Sequence, residues 1–169
     1  TCDESESVTA HPYIKYQRAR ILQLVDKSCV LDKKHTALIK KAYYDSIYAI
    51  KTIEQYSSIQ QTKSYASLLW LFGQYLSDEG ELLEGIRYLE ESTISFEEQK
   101  ILDQEYYQCS AKLATVYLNY YEADRTNRVT YLRKARTLMS ALSRDWDYLG
   151  KARKFVGQLR SRLSVYGSC

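Results

Sequence analysis

The sequence predicts an all-α fold of about seven antiparallel helices, and three observations carry that expectation. One Pro and six Gly among 169 residues are too few for the many tight turns of an all-β chain. Apolar residues recur at three- and four-residue spacings along most of the chain, which places them on single helical stripes. Short polar clusters separate those stripes at intervals suited to helical hairpins. A chain of this length buries about 70% of its unfolded surface and folds without disulfides. No stretch approaches the roughly 20 apolar residues of a membrane span, so membrane attachment would need a lipid or a partner.

Residues 1–10 read as a flexible leader too polar to pack, and residues 11–169 as one helical domain. Pro12 opens the first helix, whose apolar positions are Tyr13, Tyr16, Ile21, Leu22, Leu24 and Val25, and which ends near Cys29. Asp32 then caps a long helix carrying Leu38, Ile39, Ala42, Tyr43, Ile47, Ile50 and Ile53, before a polar stretch from Ser57 to Thr62. The next helix, Tyr65 to Ser77, has the stripe Leu68, Leu69, Phe72, Tyr75 and Leu76. Ser77-Asp78-Glu79-Gly80 makes a turn, with Gly80 in the left-handed conformation that ends a helix. Its partner, Gly80 to Phe96, carries Leu82, Leu83, Ile86, Leu89 and Ile94. A second hairpin pairs Gln104–Ala123 with Arg128–Leu142, Thr126 or Asn127 capping the latter. The last helix, Asp147 to Tyr166, sets Leu149, Phe155, Val156, Leu159 and Leu163 on one side.

Gly73 and Gly85 lie mid-helix, where each costs about 1 kcal/mol relative to Ala. That cost points to a close approach of the two helices. Phe72-Gly73, Gly80, Gly85, Leu89 and Ser92 fall at the spacing of a tetratricopeptide repeat, and the window resembles that family. A second copy follows in Leu113-Ala114, Tyr117, Leu132 and Ala135, with Ala114 placed 41 positions after Gly73 and Leu132 placed 43 after Leu89. Those offsets exceed the family's typical period of about 34 residues. The resemblance covers roughly residues 65 to 142; an ordinary helical hairpin with tolerated glycines is the plainer alternative. It implies tetratricopeptide-like hairpins stacked in a short right-handed superhelix, the first hairpin being a capping or degenerate copy. It also implies a noncatalytic adaptor or scaffold that binds a protein or peptide without a cofactor. In that family the first helix of each pair lines the concave surface, which maps here onto Trp70 and Gln74, then Gln108, Lys112, Thr115 and Asn119. The chaperone-binding subtype holds a terminal carboxylate with Lys and Asn where this chain has Trp70 and Gln74, so that activity is not carried over.

Catalytic signatures are lacking: there is no nucleophile elbow, phosphate loop, dinucleotide fingerprint or H-E-x-x-H. His11 and His35 are the only histidines, and the acid pairs Glu90-Glu91 and Glu97-Glu98 belong on a solvated helix face. No enzyme reading has a residue to rest on. Cys2, Cys29, Cys109 and Cys169 are scattered singly without the spacing of a metal site, and Cys109 falls on an apolar stripe as a small core residue. The opening Thr-Cys-Asp-Glu-Ser-Glu-Ser resembles the start of a mature bacterial lipoprotein of the Bacteroidetes type, which implies lipidation at Cys2. Such a protein would sit in the bacterial outer membrane or periplasm, and without the lipid it would be intracellular. The alternative is a piece of a larger α-solenoid scaffold.

Charge divides the chain. Residues 125–169 hold eleven Lys/Arg against two Asp/Glu, a net of +9 that leaves −6 for residues 1–124. A basic face containing Arg133, Lys134, Arg153 and Lys154 would suit an acidic protein, a nucleic acid or an anionic surface. Without a recognisable nucleic-acid module it would support only nonspecific, salt-sensitive binding. The plainer reading pairs acidic and basic helices across a solvated surface. Seventeen tyrosines supply large apolar faces with polar tips for the seams between helices.

Overall fold

Local chemistry sets the helix ends. The computed structural model describes residues 33–167, and within them the chain forms α1 (Lys33–Thr52), a 3-10 segment (Glu54–Gln61), α2 (Lys63–Asp78) and α3 (Leu82–Glu98). There follow α4 (Gln104–Ala123), α5 (Val129–Arg144), 3-10 turns at Trp146–Tyr148 and Gly150–Ala152, and α6 (Arg153–Ser164). These residues form six α-helices and no strand. The leader, the Pro12–Cys29 helix, the Asp32 cap, His11, Cys2, Cys29 and Cys169 lie outside the described residues.

By internal contacts the chain divides within α2, between Leu68 and Leu69. In the first unit, α1 buries Ile39, Tyr43, Ile47 and Ile50 at the spacing the stripe predicts. Leu38, expected on that stripe, is 46% exposed because it sits one residue off the buried line. The polar stretch after α1 is helical rather than a loop. Its Gln60 side chain donates to the Ile50 carbonyl at 3.1 Å, satisfying an acceptor that the end of α1 leaves open.

In the second unit, Gly80 has φ +88° and closes α2. The Glu81 N–H donates to the Leu76 carbonyl at 2.9 Å and Gly80 N–H to Ser77 at 3.2 Å, the bond pair of a Schellman ending. Lys100 ends α3 the same way, at φ 57°, with Ile101 N–H donating to Phe96 at 2.9 Å. Between these ends the two helices touch backbone to backbone. A Cβ on Gly73 would lie 2.8 Å from Leu89 Cγ and 3.0 Å from the Leu89 nitrogen. One on Gly85 would lie 3.0 Å from the Gly73 carbonyl oxygen and would overlap the Ser77 hydroxyl. That hydroxyl is already held, donating to the Gly73 carbonyl at 2.7 Å. The Phe72 and Tyr88 rings pack beside the contact at 4.7 Å.

Helix α4 is the central element. Asp103 caps it, accepting from Glu105 and Tyr106 N–H at 3.0 and 3.2 Å. Its Cys109, Leu113, Ala114, Val116, Tyr117 and Leu118 join Ile86 and Leu89 of α3, Leu132 and Ala135 of α5, and Leu159 and Leu163 of α6 in one core. A second cluster sets Tyr107 and Ala111 against Leu142, Leu149, Ala152 and Val156.

Several expectations need correction. Neither Thr126 nor Asn127 caps α5; Arg128 occupies that position without a side-chain bond, while Asp124 accepts from the Asn127 N–H and amide at 3.3 and 2.9 Å. The last helix starts at Arg153, not Asp147. Gln104 holds the preceding loop, donating to Tyr148 O at 3.1 Å and accepting from Lys151 N–H at 3.0 Å, around Gly150 at φ +50°. Phe155, Leu83 and Ile94, placed on buried stripes by spacing, are 53%, 47% and 52% exposed. Ile94 stands about 140° around the helix from Leu89, so both cannot face one core.

The glycine contact predicts that Gly85→Leu destabilises by about 1–3 kcal/mol through overpacking. Urea denaturation measures it, and a cost within error of zero would show that the helices separate without loss.

Candidate functional site

The expected partner-binding face is mostly committed to the fold. Trp70 is 8% exposed and packs in the core of the second unit, so its indole is not an accessible anchor. Lys112 pairs with Asp78 at 2.5 Å, tying α4 to the end of α2. Thr115 donates to its own helix at the Ala111 carbonyl, 2.9 Å away. Asn119 accepts from Arg162 at 2.9 Å, and the same guanidinium reaches Glu122 at 2.6 Å. Gln74 and Gln108 are half-buried and have no side-chain hydrogen bond among the described residues. Spacing put these six residues on one face of two helices, but the neighbouring elements use most of their bonding capacity.

The basic residues divide in the same way. Lys134 on α5 pairs with Glu90 on α3 at 2.8 Å, so acidic and basic helices do meet. Arg153 donates to the Trp146 carbonyl at 3.3 Å, and its guanidinium lies 5.5 Å from the Trp146 ring, with Arg160 at 5.0 Å. Arg133 and Lys154 are exposed and have no carboxylate partner among the described residues.

Between α3 and α5 runs an open groove of about 490 Å³. Its floor is Leu113 and Tyr117 of α4, and one wall is Glu90, Thr93 and Ile94 of α3. The α5 wall is Thr130, Arg133, Lys134, Thr137, Leu138 and Ala141. The groove exists because α3 and α5 both pack on α4 while presenting short or outward-turned side chains towards each other. Sequence reasoning missed it, although a signal was present. Thr130, Lys134, Thr137 and Ala141 recur at spacings of four, three and four, a stripe without a large apolar residue on a helix whose opposite stripe is Leu132, Ala135 and Leu142. A second recess of about 530 Å³ lies beside Gly80, Leu83 and Tyr120, but Arg128 stacks on Tyr120 there at 3.8 Å and donates to its carbonyl at 3.2 Å.

One end of the first groove is fixed by Glu90. A single oxygen of its carboxylate accepts from Tyr117 Oη at 2.6 Å and from Lys134 Nζ at 2.8 Å. Burial, then the bond to Glu90, raises the Tyr117 phenol well above the ordinary tyrosine range. Tyr106, half-buried and donating to Glu97 at 2.9 Å, is raised in the same way. Burial pushes the Cys109 thiol up to about 12, which leaves it protonated and unreactive at neutral pH. No group of three metal-ligating side chains exists among the described residues. No helix there is long and apolar enough to cross a membrane.

Two outcomes are expected. Trp70→Ala removes a buried indole and costs about 3–5 kcal/mol of stability in a chemical melt; a small cost would show that the ring is not core. For Tyr117 the folded pKa lies above the unfolded value of about 10, so the native state holds the proton longer and stability falls as pH rises from about 10 upward. Tyr117→Phe should flatten that decline, read as urea midpoints at about pH 9, 10 and 11; an unchanged slope would remove the phenol as its source.

The chain matches no protein-family model, no curated protein and no solved structure.

Proposed function

We propose that the chain is a noncatalytic binding scaffold of tetratricopeptide type, which docks a segment of a partner protein in the groove between α3 and α5. The carrying observation is the groove itself, apolar along its floor and open to solvent, with Ile94 52% exposed on its wall. The repeat character is supported by the Gly73–Leu89 and Gly85–Ser77 approaches and by fully buried Ala114 and Ala135 at the matching places of the second hairpin. Stacked hairpins of this kind leave a trough between the second helices of successive pairs, which are α3 and α5 here. Docking then falls on the α3/α5 face rather than on the α2/α4 face, where Trp70 is buried. A lipid at Cys2 would tether the scaffold to a membrane without altering the groove.

The test is selection of peptides on the whole chain from a displayed random library, followed by affinity measurement on variants. Ile94→Arg lies on an exposed position and should leave stability within about 0.5 kcal/mol, while lowering the affinity of selected peptides at least tenfold. Gln108→Arg, on the other face, should leave affinity unchanged. The reverse pattern would return the site to the α2/α4 face.

A further inference from the structure

Resting on that docking reading, we propose that the segment the groove takes is an amphipathic α-helix bearing acidic residues along the flank that meets α5. Two features of the groove lead there. The first is its backbone. Both walls and the floor belong to helices whose N–H and C=O groups are spent internally, so the groove offers no strand edge. The Thr93 hydroxyl is turned onto its own helix, donating to the Glu90 carbonyl at 2.9 Å. An extended segment would lose water from its own peptide groups against these walls and recover few bonds. A helix arrives with those groups already paired and needs only an apolar stripe to bury.

Length agrees. From Lys134, where the tie to Glu90 crosses, to Ala141 α5 runs about 10 Å, or two helical turns, enough for anchors at i, i+3 or i+4, and i+7. The apolar seats for those anchors are Ile94, Leu113, Leu138 and Ala141, with the Tyr117 ring between them.

The second feature is charge. Arg133 stands on the α5 wall, exposed and without a carboxylate partner among the described residues. Beside it Lys134 shares its ammonium with Glu90, so that end of the groove is internally neutralised while the Arg133 side is not. Helix α5 carries Arg133, Lys134, Arg136 and Arg144 with no acid, whereas the facing α3 carries five Glu against Arg87, so acidic residues on an incoming helix belong on the flank that meets α5. Arg133 offers a planar fork that a Glu or Asp on the incoming helix meets in bidentate fashion.

The probes are three labelled synthetic peptides: a stapled helix with Leu at helical spacing and Glu on one flank, its Glu→Lys counterpart, and an unstapled version with a central Pro. Anisotropy titrations use the whole chain at low and moderate salt. The acidic helix is expected to bind at least tenfold tighter than the other two and to weaken as salt rises. Arg133→Glu should reverse the preference between acidic and basic helices, and Ile94→Arg should abolish binding of all of them. Equal binding of the Pro peptide would overturn the helical occupant. Equal binding of acidic and basic helices, unmoved by Arg133→Glu or by salt, would overturn the acidic flank. In both cases, loss of binding in Ile94→Arg would leave the docking reading standing. Binding indifferent to Ile94→Arg would remove the groove itself, and no binding of the acidic helix at any concentration would overturn the inference. Self-association of the chain, disrupted by Ile94→Arg, would make the occupant a second copy and equally overturn it.

Discussion

The backbone contact between α2 and α3 at Gly73 and Gly85 is the constraint from which the second unit is built. Each glycine forfeits about 1 kcal/mol of helix propensity, and neither is compensated locally. What offsets the loss is the seating of Leu89 over Gly73, fully buried, together with Phe72 and Ile86. Complete burial of each such side chain is worth about 1.5–3 kcal/mol. With Leu89 drawn in, its carbonyl lies 3.8 Å from the Cys109 sulfur of α4, so the hairpin also defines where the central helix rests. Larger residues at either glycine would widen the pair and move α3 away from α4.

The side of α3 turned away from that contact determines what remains available outside. Leu89 and Phe96 face inward, which leaves Glu90 and Ile94 towards α5. Glu90 is engaged twice at one oxygen, by a phenol and an ammonium, and partial burial makes each bond stronger than its fully solvated equivalent. That tie holds α3 to α5 at one place without filling the space along the rest of their length. An open trough pinned at one end is more definite in shape than one between two independent helices, and a preformed site demands less ordering when it is occupied.

Tyrosine serves this arrangement repeatedly. Tyr117 lines the groove floor and bonds Glu90, Tyr120 and Tyr131 meet edge to face at 4.7 Å, and Tyr166 bonds Glu122 at 2.8 Å while meeting Tyr121 edge to face at 5.4 Å. In Tyr117 and Tyr166 the ring packs in a helix seam and the hydroxyl reaches a carboxylate at its rim, a combination that Phe or Leu does not supply. The described tyrosines at these seams are therefore mainly structural, and among the described residues Tyr117 is the tyrosine that also lines the groove.

The sequence by itself determined the helical class, the order and approximate ends of the helices from α1 to α5, the Gly80 turn and the close approach at Gly73 and Gly85. All of these follow from interactions within a few residues, or from a propensity cost whose only remedy is tight packing. The tertiary structure decided which stripe residues are covered. Trp70 reads as an exposable aromatic from its neighbours on α2, yet it is buried; Ile94 reads as core, yet it is half exposed, because a helix stripe is wider than the strip its neighbours can cover. The start of α6 depended on Gln104 bonding a loop 44 and 47 residues away, which no local pattern encodes. The α5 stripe of Thr130, Lys134, Thr137 and Ala141 marks one wall of the groove in the sequence, but the trough itself is a property of the distance between α3 and α5 on a shared support, and that distance is set by the side chains packed beneath them.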